Sequence, residues 1–301
     1  MAITRNLTIC KACKRIFMYK ISVITVNLNN IDGLKRTVES VIGQDFDNYE
    51  YIVIDGGSTD GSKEYIETIS RVNYWVSEPD KGIYNAMNKA ITIAKGEYCI
   101  FMNSGDYFFD NKILSKVAPM LNGGDFYVGC PLYLSNGKAI SDAPPCNMSI
   151  EYLLYSGINH QSTFTRTALL KESPYDENYK IVADYEKFFS EWYLNGRTYN
   201  YIDLTISFYM FDGLSSVNRD LLEKERKIVI DKILYKDKDK DKNKKKEEIT
   251  TAKEYKIDEN LLLFKQKLTN SESLSTIKRD LKILRNAVKL FFKDLFYINR
   301  K

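Results

Sequence analysis

Strand-like and helix-like patterns alternate in the first third of this 301-residue chain. Residues 21–26 form a compact β-branched run that predicts a fully buried strand, and residues 32–41 carry apolar side chains at helical spacing. Apolar runs at residues 51–54 and 98–102 predict two more buried strands. Strand, loop, helix, strand is the order of parallel βαβ units, which bind ligands at the carboxyl ends of their strands. The pattern predicts an α/β fold with a ligand site at that edge of the sheet.

Acidic residues follow two of the predicted strands. Asp55 precedes a pair of glycines, and Asp106 ends the sequence Asn-Ser-Gly-Asp that begins at Asn103. A carboxylate just past a buried strand, beside a glycine that lets a ligand approach the backbone, suits a divalent cation and a diphosphate. The other interpretation of Asp106 is a plain turn, because Asn-Ser-Gly-Asp is also good turn chemistry. Neither a Gly-x-Gly-x-x-Gly fingerprint nor a Walker A sequence occurs, which disfavours the commonest nucleotide-binding folds.

Four stretches, in this order, resemble the family 2 glycosyltransferases with a GT-A fold and look closest to the bacterial branch that builds surface polysaccharides. They are residues 23–29, 54–61, 80–88 and 103–106. The resemblance implies a mostly parallel central sheet flanked by helices. It also implies inverting transfer of a sugar from a nucleotide-diphosphate donor to a saccharide or lipid-linked acceptor, assisted by Mn2+ or Mg2+.

The resemblance also implies roles for individual residues. Asp184, at the start of a predicted helix that runs to Leu194, stands where the family has its general base. A carboxylate in the first helical turn feels the positive end of the helix dipole and stays ionised, which suits that role. Two alternatives are that Asp184 only caps the helix and that Glu186 is the base. The implied metal ligand is Asp106. The implied donor-nucleotide contacts are Thr25, Asn27, Asp55, Lys81, Asn88 and Ser104, and the implied substrate-pocket residues are His160, Gln161 and Gly213.

The chain departs from the family pattern at three positions. The acidic cluster that often reads Asp-x-Asp-Asp is here Asn-Ser-Gly-Asp, so Asp106 remains as one clear metal carboxylate. At the second acidic position of the family's Asp-Asp-Gly-Ser motif this chain has Gly56. Asp55 is thus left as the residue that contacts the nucleobase or the ribose of the donor. A loop that usually has two glycines has only Gly213, preceded by Asp212. These changes bear on affinity and donor choice.

Composition narrows the chemistry. The single histidine, His160, excludes a His-rich metal site, so a metal at Asp106 would be a hard cation completed by diphosphate oxygens and water. A lone histidine can also be a satisfied structural group. A net charge of +4 is too small to argue for nucleic acid. Five cysteines, among them an isolated Cys10–Cys13 pair, suggest a reduced cytosolic protein without a disulfide framework or a zinc site.

The organisation along the chain predicts three parts. Residues 1–17 are an extension without a functional motif, residues 18–218 the catalytic domain, and residues 219–301 a helical, charged appendage. Residues 236–246 are a low-complexity charged run, and an amphipathic basic helix covers about residues 272–297. This helix either packs against protein or docks on anionic lipid, which would place a cytoplasmic enzyme peripherally on the inner face of the cell membrane.

Two other functional classes compete with the transferase: a non-catalytic nucleotide-sugar binding module and a nucleotidyltransferase. A processive membrane synthase is disfavoured, because the sequence has no Gln-x-x-Arg-Trp motif and no apolar run of the ~18 residues that span a bilayer. A catalytically dead relative would lose the base, so the presence of Asp184 argues for activity.

Overall fold

Within the part of the chain that the structure describes, nine strands share one mixed sheet with helices on both faces. The computed structural model describes residues 8–9, 16–135, 138–141, 143–209 and 218–235. The strands are β1 (Thr8–Ile9), β2 (Ile16–Phe17), β3 (Tyr19–Asn27), β4 (Tyr49–Asp55), β5 (Tyr74–Ser77), β6 (Gly96–Phe101), β7 (Tyr107–Phe108), β8 (Phe126–Ser135), β9 (Lys138–Ser141), β10 (Thr163–Arg166) and β11 (Tyr199–Tyr209). The helices are α1 (Ile31–Ile42), α2 (Ser62–Glu67), α3 (Ile83–Ile93), α4 (Ile113–Val117), α5 (Ile150–Tyr155), α6 (Thr167–Glu172), α7 (Ala183–Phe189) and α8 (Arg219–Tyr235).

The strand order explains where a ligand site can form. Strands run β5-β4-β3-β6-β10-β8-β11-β7, with β9 added to β8, and the first four are parallel. In this register Asn27 lies beside Asp55, and Asp55 lies beside Ser77. The carboxyl ends of β3, β4 and β5 therefore meet at one edge of the sheet. Strand β10 is antiparallel to β6 and β8, so the sheet is mixed rather than mostly parallel.

Alternation along β3 builds a core on each face of the sheet. Ile21 and Val23 pack in one cluster with α1, whereas Ile24 and Val26 pack in the other with α3. Because both faces are covered, the strand is apolar nearly throughout rather than alternating. The predicted strands at residues 21–26, 51–54 and 98–102 and the helix at 32–41 are present as β3, β4, β6 and α1.

Strand β8 is continuous through a proline, Pro131. The register with β11 shifts between Thr205 and Ser207, and Ser207 is the partner of Pro131. A proline cannot donate to the ladder, and irregularities of this kind are where sheets accept it.

Helix α8 packs on the same core as the sheet. Val229 is fully buried and Ile233 nearly so, and both belong to the cluster that contains Phe188 of α7. This helix begins just past the predicted domain boundary at residue 218, and it belongs to the compact unit that extends to Tyr235.

Several predictions concern residues outside the described part of the chain. These are the charged run 236–246, the helix at about 272–297, Gly213 and the Cys10–Cys13 pair. Within residues 1–17, β1 pairs with β2 in a small antiparallel sheet. Among the described residues, no helix is long and apolar enough to cross a bilayer. The predicted domain boundaries stay predictions.

Candidate active site

Four donors surround the carboxylate of Asp55 at the end of β4. Its Oδ1 accepts hydrogen bonds from Asn27 Nδ2 (2.7 Å) and Ser58 Oγ (2.6 Å). Its Oδ2 accepts from the backbone N–H of Ser58 (2.9 Å) and from Ser77 Oγ (2.6 Å). Burial acts to raise the pKa of Asp55, but these hydrogen bonds outweigh it and hold the pKa below its ordinary value. The ionised carboxylate is fully buried, so it organises the loop and reaches a base or ribose only by giving up one of these bonds.

The carboxylate of Asp80 lies beside Gly56, where the family motif has its second acid. A Cβ atom at Gly56 would lie 2.8 Å from Asp80 Oδ2, closer than real Cβ contacts come. Asp80 is half-buried, and its Oδ1 accepts a hydrogen bond from the Gly82 N–H at 2.9 Å. Asp80 lies in the stretch 80–88 but was not among the predicted site residues, although its position shortly after a strand was the available signal.

The sequence Asn-Ser-Gly-Asp forms a tight turn after β6. The Asp106 N–H donates to Asn103 O (2.9 Å), and Gly105 has φ 108°, a conformation that favours glycine. Thr37 of α1 fixes the turn, because its Oγ1 donates to Asp106 O (2.6 Å) and accepts from the Gly105 N–H (3.0 Å). The turn interpretation of Asp106 therefore holds for the backbone, while its side chain is half-buried at the candidate site.

His160 connects this turn to helix α7. Its Nε2 lies 2.9 Å from Asn103 Nδ2, and its Nδ1 lies 2.9 Å from Asp184 Oδ2. In the neutral ring, with the amide oriented in this way, Nε2 accepts and Nδ1–H donates; in the protonated ring both nitrogens are donors. Both ring nitrogens are satisfied, and both partners belong to the candidate site. These hydrogen bonds fit the structural interpretation of this histidine, and its place between Asn103 and Asp184 keeps it a candidate site residue.

Asp184 is held from two further directions. Its Oδ1 accepts hydrogen bonds from Tyr84 OH (2.8 Å) and from the Tyr185 N–H (2.9 Å), and its side chain is 19% exposed. Helix α7 is capped at Val182 without a side-chain hydrogen bond, so Asp184 does not serve as the N-cap. Burial acts to raise the pKa of Asp184, but its hydrogen bonds, that of His160 foremost, outweigh it and lower the pKa. The carboxylate is therefore ionised at neutral pH.

The protonation of His160 depends on the same contact. Burial acts to lower the pKa of His160, but the hydrogen bond and negative charge of Asp184 outweigh it and raise the pKa, with a further contribution from the charge of Asp106. Asp106 and Asp184 thus act electrostatically on one imidazole, although they lie on different elements.

The rival carboxylate, Glu186, is engaged elsewhere. It is 8% exposed, and its Oε1 lies 2.9 Å from Lys232 Nζ of α8 and accepts a hydrogen bond from Ser190 Oγ at 3.0 Å. Because the Glu186 carboxylate is paired with Lys232, these contacts favour Asp184 over Glu186 as the candidate base.

Two of the predicted nucleotide contacts have side chains that are occupied within the protein. Thr25 is fully buried and its hydroxyl donates to Met102 O at 2.7 Å, which joins β3 to the chain after β6. The Asn88 amide donates to Glu177 Oε1 (2.9 Å) and accepts from the Tyr175 N–H (3.0 Å). Both side chains support the loops around the site.

The remaining predicted residues are placed as follows. The Ser104 N–H donates to Val26 O at 3.0 Å, Lys81 is exposed on the turn before α3, and Gln161 is buried next to His160. The Gln161 Oε1 atom has no hydrogen-bond partner within the described part of the chain.

The groups present fit a hard cation in part. Asn103 Oδ1 is buried and lacks a hydrogen-bond partner among the described residues, and Asp106 lies in the same turn. Amide and carboxylate oxygens are ligands that Mg2+ and Mn2+ accept. The described residues contain no group of three or more His, Cys, Asp or Glu side chains that could hold a metal. A cation here would need diphosphate oxygens and water to complete its coordination.

Curated relatives match parts of the chain. An uncharacterized glycosyltransferase of Mycobacterium tuberculosis is 42% identical over 105 residues, which are 34% of this chain and 40% of the relative. A PGL/p-HBAD biosynthesis glycosyltransferase of the same species is 26% identical over 224 residues, 67% of this chain and 82% of the relative. The Escherichia coli UDP-Glc:alpha-D-GlcNAc-diphosphoundecaprenol beta-1,3-glucosyltransferase WfaP is 36% identical over 133 residues, 42% of this chain and 53% of the relative. The match to the first of these thus spans two fifths of that protein's length.

A solved structure has the same fold. The Staphylococcus aureus TarS fragment 1–349, in complex with UDP-GlcNAc, matches with a TM-score of 0.57 and 21% identity, over 71% of this chain and 67% of that chain. The predicted GT-A fold is confirmed. The family model for glycosyl transferase family 2 matches residues 22–172, which include the turn at 103–106 and end before Asp184. The match covers half of the sequence, and the chain therefore belongs to glycosyl transferase family 2.

Proposed function

We propose that this protein is an inverting glycosyltransferase that moves a sugar from a nucleoside-diphosphate donor to a saccharide or lipid-linked acceptor. The observation that carries the proposal is the ionised carboxylate of Asp184, which His160 ties to the turn that contains Asp106. A base and a diphosphate-binding turn at one edge of a GT-A sheet are what a direct displacement at a sugar carbon requires.

In the proposed reaction, Asp184 accepts the proton of an acceptor hydroxyl as its oxygen attacks the anomeric carbon of the donor sugar. The new carbon–oxygen bond forms while the bond to the diphosphate breaks, and the electron pair leaves with the nucleoside diphosphate. Attack from the face opposite the leaving group inverts the anomeric configuration. The carboxylate suits this role because its hydrogen bonds keep it ionised and fix its orientation.

The loops after β3, β4 and β5 are proposed to receive the nucleotide. Asp55 keeps Asn27 and Ser58 in place there, and Asp80 contributes a second half-buried carboxylate beside Gly56. Asn27 Oδ1 is a buried acceptor without a hydrogen-bond partner among the described residues, which suits recognition of a donor group on the nucleotide.

A divalent cation is proposed to bind at the turn of residues 103–106, held by Asp106 and by Asn103 Oδ1. When bound, Mn2+ or Mg2+ would neutralise the charge that develops on the leaving diphosphate.

The relatives indicate where to look for substrates. The name of the Escherichia coli relative specifies a UDP-glucose donor and a diphosphoundecaprenol-linked acceptor, and that of one mycobacterial relative specifies PGL/p-HBAD biosynthesis. Uridine diphosphate sugars and polyprenyl-diphosphate-linked saccharides are therefore the first candidates. A peripheral position on the inner face of the cell membrane belongs to the same proposal.

A panel of nucleotide sugars tests the proposal. We expect release of nucleoside diphosphate with at least one sugar when a lipid-linked saccharide is supplied, and a product of inverted configuration by NMR. Tight binding of a nucleotide sugar without turnover for any acceptor would indicate a binding module. Release of pyrophosphate from a nucleoside triphosphate and a sugar phosphate would instead indicate the second candidate, a nucleotidyltransferase.

A further inference from the structure

We infer that Glu225 of helix α8 is a positioning residue that sets the geometry of Asp184 through the backbone that precedes α7. The inference rests on the function proposed above. Glu225 is 7% exposed, and its two carboxylate oxygens bind two successive backbone amides. Oε1 accepts from the Lys180 N–H at 2.8 Å, and Oε2 accepts from the Ile181 N–H at 2.9 Å.

The backbone held by Glu225 leads directly to the candidate base. Tyr84 OH lies 2.6 Å from Ile181 O and 2.8 Å from Asp184 Oδ1. A phenol has one proton, so the Ile181 carbonyl and the Asp184 carboxylate share it. The position of Ile181 O therefore decides how strongly Tyr84 donates to Asp184. If this carbonyl moved away, Tyr84 would donate fully to the carboxylate and make it a weaker base.

Glu225 holds the backbone that leads into α7 and does not cap the helix. The N-cap of α7 is Val182, which has no side chain that can bind a free amide, and the two amides that Glu225 binds precede it. A buried carboxylate that accepts two amides in the same turn fixes this backbone more strictly than solvent would. The sequence alone gives no sign of the contact, because Glu225 is 44 residues from Ile181 and reads as one more charge on a surface helix.

Arg226, the next residue of α8, fixes the other side of the same helix start. Its Nη2 donates to Ser156 O at 2.6 Å and to Leu153 O at 3.0 Å, and its guanidinium lies 4.6 Å from the ring centre of Tyr185. Tyr185 follows Asp184 and donates its own hydroxyl to Leu153 O at 2.8 Å. Helix α8 thus contacts the backbone that precedes Asp184 and the side chain of Tyr185, which follows it. These contacts make α8 part of the structure that positions Asp184.

The test compares Glu225→Gln with Glu223→Gln in the full-length protein. Glu223 is exposed on the same helix, so the two variants lose the same charge from the same element. Because Glu225 binds two backbone amides, hydrogen exchange at Lys180 and Ile181 reports directly on its contacts. In Glu225→Gln we expect exchange at these two amides to become faster and the acid limb of the kcat–pH profile to move to lower pH, because Tyr84 then donates more fully to Asp184. We expect kcat to fall about tenfold, less than the ~100-fold loss for a misplacement of about 1 Å. We expect the KM for the donor and the affinity for UDP to stay the same.

Two further variants separate positioning from stability. Val229→Ala removes buried volume from α8 without touching the 180–181 backbone, and it should lower the melting temperature while kcat and its pH profile stay the same. In an Asp184→Asn background, Glu225→Gln should cause no additional loss of kcat, because the two act through one group.

An unchanged kcat and an unchanged kcat–pH profile in Glu225→Gln would overturn the inference. The same changes in Val229→Ala at an equal melting temperature would also overturn it, since the effect would then be general destabilisation. Failure of the proposed function looks different: the wild-type protein would transfer no sugar from any donor of the panel. Hydrogen exchange at the Lys180 and Ile181 amides would still decide whether Glu225 holds the backbone that precedes Asp184.

Discussion

The Nδ1 atom of His160 lies 2.9 Å from Oδ2 of Asp184, although 24 residues separate the two along the chain. The same imidazole reaches Asn103 through Nε2, so one side chain joins the end of β6 to the start of α7. This contact makes the orientation and the charge of the candidate base depend on residues of two other elements. Several experiments address that dependence.

Asp184→Asn should lower kcat about a hundredfold or more, because general-base catalysis contributes on this order and an amide cannot accept the acceptor proton. UDP binding, measured by calorimetry, should be nearly unaltered, since the change leaves the loops after β3 and β4 intact. Glu186→Gln is the comparison variant, because it alters the rival carboxylate two residues away. A loss of kcat in Glu186→Gln alone would transfer the role of base to Glu186.

Asp106→Asn should remove most transfer and weaken the Mn2+-dependent part of UDP binding. The amide keeps the volume of the side chain and loses the charge that a hard cation prefers. The backbone turn should persist, because the Thr37 hydroxyl binds main-chain atoms of the turn, Asp106 O and the Gly105 N–H. Asp47→Asn is the control, as Asp47 is exposed and precedes β4 at the other end of that strand. Full activity of the wild-type protein in EDTA would refute metal dependence.

His160→Gln should lower the melting temperature more at pH 6 than at pH 9. Folding raises the pKa of His160 and lowers that of Asp184, so their ion pair exists between these two values. A raised histidine pKa contributes stability that is fully present below about 6.5 and is lost as pH rises through the folded-state value. The charged groups that raise the His160 pKa are Asp184 and Asp106. Equal losses at the two pH values would mean that His160 acts only through packing.

The sequence predicted the parts of the site that are encoded locally. The strand ends at Asp55 and Asp106 could be predicted, because an apolar run followed by Gly, Ser and Asp is a local pattern that spans about ten residues. The hydrogen-bond partners of Asp55 could not be predicted, because Ser77 and Asn27 reach it from neighbouring strands. The full burial of Asp55 therefore became visible only in the structure.

Long-range contacts account for most of what the sequence did not reveal. His160 was predicted as a pocket residue, but its partner Asn103 is 57 residues away. Strand β11 was not predicted, although apolar and polar side chains alternate strictly over residues 202–208, the pattern of a half-buried strand. Helix α8 was expected from its spacing, yet periodicity does not say against which surface a helix packs. For the same reason Glu225 could not be distinguished from an exposed glutamate.

The last prediction uses two truncations to separate the role of α8 from that of the residues beyond it. A protein ending at Tyr235 keeps the contacts of Glu225, Arg226 and Lys232 with the region around Asp184, and it should transfer sugar to a soluble acceptor mimic at a rate close to that of the full chain. A protein ending at Asn218 loses these contacts and exposes the core that Val229 covers, so it should lose transfer and melt at a lower temperature.

The truncation at Tyr235 also tests the membrane proposal. The removed residues include the amphipathic basic sequence at about 272–297, and each basic residue near an anionic surface contributes on the order of 1 kcal/mol to binding. Full-length protein should therefore sediment with vesicles that contain anionic lipid, and less so at high salt, whereas the truncated protein should remain in the supernatant. Vesicles of neutral lipid serve as the control. If the full-length protein ignores anionic vesicles, or if truncation at Tyr235 alone abolishes transfer to the soluble acceptor, these residues act within the protein and the membrane proposal fails.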